Sequence, residues 1–252
     1  MGLVDTEAFI LRTYKLAEAD KIVICLTRDA GVVRGVARGA RRLKSRFGAS
    51  LEPFTLISLS FYAKEGKELV SLRQAEILRS YFALARNPET VAALEYLSEL
   101  ALEFAPPHEP NEKLFRMVRA CLEAIAEVPE RTAPVVRYYE LWVLKLSGFL
   151  PELRACGGCG KSFDASETLY LSPESSLRCG LCTGETGLAL RAEARTLWGQ
   201  MKRLGPKEWA QKMSEEISRG AQTELGNLSH RLIARALERT PRGQVPLGAA
   251  SG

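Results

Sequence analysis

The sequence predicts an α+β fold, in which a five-stranded N-terminal β-barrel precedes a mostly α-helical region that carries a four-cysteine metal module. Three observations support this fold class. The first 80 residues contain short segments of alternating apolar residues, later segments repeat their apolar residues every three or four positions, and two C-x2-C motifs are separated by 19 residues. The predicted domains are a barrel over 1–80, a helical domain over 81–150 and 191–240, the cysteine module over 151–190, and a disordered tail over 241–252.

The barrel prediction rests on five short strands within about 75 residues. They cover residues 7–14, 21–27, 32–36, 54–62 and 69–78. The first strand places Phe9, Leu11 and Thr13 on one face, and the fourth does the same for the odd-numbered residues from Thr55 to Phe61. At this level the residues favour either an oligonucleotide-binding (OB) barrel or an SH3-like barrel.

The helical region begins at Asn87, where a capping residue is followed by proline and glutamate. Apolar periodicity predicts helices over 90–104, 111–127, 134–147, 191–204, 206–219 and 223–239. Gly148 stands where a glycine often ends a helix. The last helix has an apolar face and an arginine-rich face, which indicates a core-facing surface helix or a docking stripe for an acidic peptide.

The charge of the chain is concentrated in its first third. Residues 1–80 carry 14 Lys and Arg against 9 Asp and Glu, whereas the remaining 172 residues carry 21 of each, so the whole net charge of +5 lies in the predicted barrel. The stretch Arg34–Gly48, called the basic segment below, contains six cations and no acid. These are Arg34, Arg38, Arg41, Arg42, Lys44 and Arg46. Such asymmetry favours contact with a polyanion, with Tyr14 and Phe47 as candidate stacking platforms; the alternative is a solvated loop.

The four clustered cysteines predict a structural zinc site. Cys156 and Cys159 form one C-x2-C motif, and Cys179 and Cys182 form the other. Two such turns supply four thiolates for one tetrahedral Zn²⁺ per chain, leaving no position for a catalytic water. Disulfides and a redox motif are the alternatives, but a redox motif usually opens a helix after a strand, and here glycine follows the first motif and Thr-Gly the second.

The remaining reactive residue types do not form a recognisable catalytic pattern. The solitary Cys25 and Cys121 lie on apolar segments and are interpreted as core residues. His108 and His230 are interpreted as surface residues, and Glu95 and Glu99 as an ordinary pair on a helix. No metalloprotease, nucleophile-elbow or phosphate-loop motif is present in the sequence, so we expect a protein that is not an enzyme.

Three stretches in order carry a resemblance to a known family. They are FILRTYKLAEADKIVICLTRDAGVVRGVARGARRLKSRFGASLEPFTLISLSF, YLSELALEF and LWVLKLSGFLPELRACGGCG. The sequence resembles the RecO family of bacterial DNA repair and recombination mediators over residues 5–190. One departure is Arg38, where many members carry lysine, so the charge is kept.

The resemblance implies an OB-fold barrel, a helical C-terminal domain and a zinc-ribbon-like insert. It also implies binding of single- and double-stranded DNA, annealing of strands, partnership with RecR, contact with the acidic tail of single-strand DNA-binding protein (SSB) and help in loading RecA. We expect a bacterial cytoplasmic, nucleoid-associated protein without a membrane partner. Candidate residues for the SSB tail are Arg137, Lys145, Arg231 and Arg235. The alternatives are an RNA-binding, ribosome-associated module and a metal hydrolase with an open zinc site.

Overall fold

A computed structural model of the chain describes residues 2–63, 68–106, 109–184, 186–215 and 219–242. The chain divides into two compact units, Met1–Val118 and Arg119–Gly252. The first unit contains a β-barrel and its flanking helices, and the second contains helices and a small sheet. The predicted α+β class with a strand-rich N-terminal part and a helical C-terminal part is therefore confirmed.

The five strands of the first unit close into a barrel in the order β1-β2-β3-β5-β4. They are β1 (Gly2–Leu16), β2 (Asp20–Thr27), β3 (Val32–Ala37), β4 (Thr55–Ala63) and β5 (Leu69–Ser80). Neighbouring strands are antiparallel except for β3 and β5, which run parallel, and the barrel closes where β1 pairs with β4. All five predicted strands are present, and β1 begins earlier than its alternation indicated.

The barrel core confirms the predicted face of β4 and corrects that of β1. Ile57, Leu59 and Phe61 of β4 point into the core as expected. On β1 the core residues are Ala8 and Ile10, and Phe9 faces away from them. Thr13 pairs with the core residue Val23, so the prediction that Phe9, Leu11 and Thr13 share one face is wrong. The register shifts between Ile10 and Arg12, so one extra residue interrupts the alternation.

The other face of β1 is also covered. Phe9 is buried there, with its ring centroid 5.1 Å from that of Phe115. A strand buried on both faces shows continuous apolar residues, and the period-two pattern then no longer identifies the core side.

Two long helices follow the barrel, α1 (Pro88–Phe104) and α2 (Glu112–Glu127). Asn87 caps α1 as predicted, because its side chain accepts a hydrogen bond from the Glu89 backbone N–H at 2.9 Å. Gly31 has φ of +66°, and a Cβ there would lie 2.4 Å from the Glu109 carbonyl oxygen, so the turn between β2 and β3 requires glycine.

Within its described residues, the second unit contains four further helices of at least nine residues around a buried apolar centre that includes Tyr139, Trp209 and Leu225. These helices are α3 (Thr132–Leu146), α5 (Ala192–Gln200), α6 (Pro206–Glu215) and α7 (Arg219–Ala236). The cysteine module consists of the four-residue helix α4 (Gly180–Thr183) and a sheet of three strands, β6 (Leu169–Leu171), β7 (Leu177–Cys179) and β8 (Leu188–Leu190), in the order β7-β6-β8. Nearly all of the predicted tail, residues 243–252, lies outside the described residues.

A buried polar network links α3 to α7 inside the second unit. Glu140 is fully buried and accepts hydrogen bonds from Arg137 and from the Ser229 hydroxyl, the latter at 2.7 Å. The imidazole Nε2 of His230 lies 3.3 Å from the second carboxylate oxygen. The prediction that His230 is a plain surface residue is therefore wrong, because its neighbours on α7 face the core. His108 lies outside the described residues.

None of the helices in the described ranges combines the length and the apolarity that a membrane span requires.

Candidate nucleic-acid interface and metal site

The basic segment is an exposed but anchored loop of the first unit. Arg34 lies on β3, and the other five cations lie on the turns between β3 and β4; all six side chains are exposed. The Gly39 N–H donates to the Asp20 carboxylate at 2.7 Å, and the Arg41 N–H donates to the Ala19 carbonyl at 2.9 Å. These bonds fix the loop against the turn between β1 and β2. The chain therefore presents its charges from a defined position.

Strand register places part of this charge on an outer face of the barrel. Arg12 pairs with Ile24, and Ile24 pairs with Arg34, so the three side chains form one row across β1, β2 and β3. Tyr14 lies two residues from Arg12 on the same face and is 49% exposed. Sequence reasoning missed Arg12, although the spacing from Tyr14 could have identified it.

This face borders a cleft of about 450 Å³ within the first unit. Arg12, Tyr14 and Arg34 line this cleft together with three carboxylates. These are Glu68, Glu99 and Glu103. Because carboxylates repel phosphate, a polyanion is expected to run from Tyr14 towards the basic segment and away from α1. Glu99 is 5% exposed, so its interpretation as one of an ordinary solvated helix pair is wrong.

Of the two predicted aromatic platforms, the structure leaves only Tyr14 accessible. Phe47 is 2% exposed and belongs to the barrel core, so its ring cannot stack on a base. The guanidinium of Arg46 covers this ring, with 5.0 Å between its carbon and the ring centroid. The prediction that Phe47 is a stacking platform is therefore wrong. The loop folds back on the barrel and buries this residue, its one aromatic side chain, which anchors the loop.

The four predicted metal ligands come together in the second unit. The sulfur atoms of Cys156, Cys159, Cys179 and Cys182 all lie within 4.8 Å of one another, and Cys159 and Cys179 are 3.9 Å apart. A tetrahedral ion with metal–sulfur bonds of about 2.3 Å would place its ligands about 3.8 Å apart. A Cβ at Gly158 would lie 3.1 Å from the Cys182 sulfur, so glycine leaves room for the cluster. The residues present therefore fit a metal ion.

The surroundings of the thiols favour ionised sulfur at Cys156 and protonated sulfur at Cys182. Burial raises the pKa of the Cys156 thiol, but backbone N–H donors, those of Cys159 and Cys179 first, outweigh it and lower the pKa to about 6. The neighbouring thiols raise the pKa of Cys182 to about 12. Four thiolates this close repel each other, and a bound cation would remove that repulsion.

The second C-x2-C motif lies between a strand and a helix, where redox motifs are also found. Cys179 ends β7, and the second C-x2-C motif opens the short helix α4, which is the strand-to-helix placement that the sequence reasoning denied. The convergence of all four sulfurs nevertheless distinguishes this site from a two-cysteine redox centre. The solitary Cys25 and Cys121 are buried core residues as predicted, and burial raises the pKa of both thiols.

The predicted cations for an acidic peptide have unequal positions in the second unit. Arg137 is 5% exposed and is bonded to Glu140, so its selection was wrong: it lies on the core side of α3. Lys145 is half-buried over the Trp142 ring, 4.1 Å from its centroid. Arg231 and Arg235 are exposed on α7, and Arg235 donates to the Pro173 carbonyl.

A closed five-stranded barrel with an exposed cationic loop, together with a separate four-thiol cluster, is typical of nucleic-acid-binding proteins. Comparison with known families agrees with this class. The family model described as Recombination protein O N terminal matches residues 1–81, and that described as Recombination protein O C terminal matches residues 85–244. The chain belongs to the RecO family.

Individual relatives support the same assignment. A protein named DNA repair protein RecO from Anaeromyxobacter dehalogenans (strain 2CP-C) is 34% identical over 197 residues, which cover 78% of this chain and 77% of the relative. The protein of that name from Bifidobacterium adolescentis is 37% identical over 182 residues, covering 71% and 73%. The one from Koribacter versatilis is 35% identical over 162 residues, covering 64% and 66%.

Proposed function

We propose that the chain is a DNA-binding recombination mediator that acts in DNA repair and does not itself catalyse a reaction. The observation that carries the proposal is the basic segment, with six exposed cations on the barrel of a chain that belongs to the RecO family. Lysine and arginine bind phosphate without reading bases. Such binding suits a protein that acts at a break in any sequence.

We assign residues 1–80 as the DNA-binding domain and its barrel as an OB fold. The closed five-strand order and the parallel pairing of β3 with β5 support the OB assignment. OB barrels bind oligonucleotides across their second and third strands, which here carry Ile24 and Arg34. Arg12 and Tyr14 on β1 extend that surface. Phosphate would contact the cations while Tyr14 stacks on a base.

The experiment that tests DNA binding removes cations that have no structural role. In the described ranges, the exposed side chains of Arg38, Arg42 and Lys44 make no hydrogen bond or ion pair. Replacing all three by alanine should flatten the log–log salt dependence of single-strand affinity by about 2 units, at about 0.7 per phosphate contact. Fluorescent oligonucleotides titrated at several salt concentrations give this slope.

A matched control removes the same charge elsewhere on the first unit. Arg73, Lys113 and Arg116 are exposed, and their replacement by alanine should leave the slope nearly unchanged. If both triple variants have the same slope as the unmodified protein, the basic segment is only a solvated loop. Competition between DNA and RNA of the same sequence addresses the alternative RNA-binding function, which tighter RNA binding would favour.

The four-thiol cluster is proposed to hold one structural zinc ion in a zinc-ribbon-like module over 151–190. Four cysteine sulfurs fill a tetrahedral coordination sphere, and four thiolates select zinc over harder cations. Filled coordination leaves no site for an activated water, so a metal hydrolase is not favoured. The ion would hold together a module whose regular elements are only three or four residues long.

The remaining parts of the proposed role follow from family membership. We propose that the chain anneals complementary strands, works with RecR, binds the acidic tail of SSB and helps to load RecA, in the bacterial cytoplasm at the nucleoid. Of the cations first considered for the SSB tail, Arg231 has an exposed side chain that suits an acidic peptide. Weaker binding of a tail peptide to an Arg231→Glu variant would support this placement, and unchanged binding would contradict it.

A further inference from the structure

The tip of the basic segment carries an apolar side chain among its cations. Leu43 is fully exposed, with a relative accessibility of 108%, and it lies directly between Arg42 and Lys44. A single exposed leucine is common on protein surfaces and needs no explanation. The distinctive feature here is its place at the centre of a positively charged loop, where a longer polar side chain would add to solubility.

The backbone holds Leu43 at a turn. The Ser45 N–H donates to the Arg42 carbonyl at 3.0 Å, so Leu43 and Lys44 are the two central residues of a β-turn. The preceding turn is closed by the Arg42 N–H, which donates to the Gly39 carbonyl at 3.1 Å. Successive hydrogen-bonded turns present the leucine side chain outward.

Both ends of the loop are attached to the barrel. At its start, the Arg41 side chain donates to the Ala17 carbonyl at 3.0 Å, in addition to the two backbone anchors at Asp20 and Ala19. At its end, Phe47 is buried in the core. An anchored loop loses less conformational freedom when it inserts a side chain into a partner than a free loop does.

We propose that Leu43 is a wedge that enters between adjacent bases of the DNA strand whose phosphates the flanking cations hold. Leucine is among the residues that DNA-binding proteins insert between base steps. Separating one step raises the spacing of two bases from about 3.4 Å to about 6.8 Å. Arg42 and Lys44 flank Leu43 with exposed side chains, and these long side chains can reach phosphates on either side of the opened step.

This inference rests on the proposed DNA-binding function and adds to it a residue that acts on the bases. A strand held with its bases unstacked is prepared to exchange one stacking or pairing partner for another. The wedge contributes little charge-dependent affinity, because leucine contacts no phosphate. Its removal should therefore change the state of the bound bases more than the strength of binding.

The test measures base stacking and binding in the same titration of the full-length protein. An oligonucleotide containing 2-aminopurine, which fluoresces more strongly when unstacked, also carries a dye for anisotropy. We expect the unmodified protein to raise the 2-aminopurine emission several-fold and Leu43→Ala to reduce that rise to near the free-DNA level. The salt slope should be the same for both proteins.

Two further variants define the specificity of the effect. Leu43→Met keeps a long apolar side chain and should retain the rise in emission. Leu181→Ala removes an equally exposed leucine, 96% accessible, from the cysteine module and should also retain it. An undiminished rise in Leu43→Ala at saturating binding would overturn the wedge and leave DNA binding intact. No salt-dependent binding by the unmodified protein would overturn both.

Discussion

The buried carboxylate of Glu140 offers a sharp test of what stabilises the second unit. Its partners are the Arg137 guanidinium, the Ser229 hydroxyl and the His230 imidazole, all on α3 or α7. The perturbation is Glu140→Gln, which keeps the size of the side chain and removes its charge. Arg137, at 5% exposure, is then left as a buried cation without its counter-ion.

The expected loss in the free energy of unfolding is about 3–5 kcal/mol, because breaking a buried pair by removing one partner leaves an uncompensated charge. A second variant, Arg137→Met with Glu140→Gln, removes both charges. We expect it to be more stable than Glu140→Gln alone, since neutral side chains of similar size replace buried ion pairs at little cost. The difference gives the coupling between the two residues.

Urea unfolding followed by tryptophan fluorescence is suited to this measurement. All three tryptophans of the chain, Trp142, Trp198 and Trp209, lie in the second unit, so their emission follows that unit and not the barrel. Unfolding midpoints at neutral pH and the slopes with urea give the free energies.

The control removes a carboxylate from an exposed ion pair. Glu127 lies 2.8 Å from Lys207, and both side chains are about half exposed. Glu127→Gln should cost about 0–1 kcal/mol, as is usual for surface pairs. If Glu140→Gln costs no more than this control, the buried network does not stabilise the helical unit and the reasoning is refuted.

Three other predictions concern the pKa of Glu140, the four-thiol cluster and the two aromatic side chains of the barrel. Burial raises the pKa of Glu140, but Arg137, with smaller contributions from His230 and Ser229, outweighs it and lowers the pKa below the usual value. The stabilisation of the second unit by the Glu140 carboxylate should therefore be complete above the usual glutamate pKa and be lost as the pH drops through the lowered value. An equal loss of unfolding free energy over this pH range in the Glu140→Gln variant would contradict this. Cys156→Ser should reduce the zinc content of protein purified under reducing conditions, whereas Cys25→Ser should keep about one zinc per chain; metal analysis that finds none in the unmodified protein ends the zinc proposal. Phe47→Ala should destabilise the barrel by about 3–5 kcal/mol in circular-dichroism unfolding, whereas Tyr14→Ala should spare the barrel and weaken DNA binding by about 1–3 kcal/mol; the reverse pattern would restore Phe47 as the platform.

The local pattern of apolar and capping residues was sufficient to predict most of the fold, because most helices and strands can be recognised from a few neighbouring residues. The alternation on β4 identified its core face, and the Asn-Pro-Glu sequence identified the start of α1. The single face predicted for Phe9, Leu11 and Thr13 on β1 was wrong, because a register shift interrupts the alternation and helix residue Phe115 covers the face on which Phe9 lies. Neither the register shift nor the contact with Phe115 can be recognised from the eight residues of the predicted strand, 7–14.

The residues of the candidate sites likewise include some that the sequence was sufficient to predict and some that it was not. The four metal-ligand cysteines were predictable because a tetrahedral metal site requires pairs of cysteines with the C-x2-C spacing. The exposure of the six cations was predictable because positively charged side chains without a nearby acid are hard to bury. The roles of Phe47 and Arg137 were not predictable. Phe47 is buried by its loop folding back on the barrel, and Arg137 meets Ser229 across 92 residues of sequence.

The closure of the barrel has a consequence for the growing polypeptide. Adjacent strands β1, β2 and β3 can pair as soon as they are synthesised, but closure needs Gly2 to meet Ala63 and Arg34 to meet Leu69. Until β4 (to Ala63) and the start of β5 (to Ser71) have left the ribosome, β1 and β3 expose unpaired edges, which invite association with another chain. The cations that begin at Arg34 lie on and beside the β3 edge. Their mutual repulsion is expected to oppose the meeting of two unfinished barrels along that edge, so the basic segment should also lower the tendency of the nascent chain to aggregate.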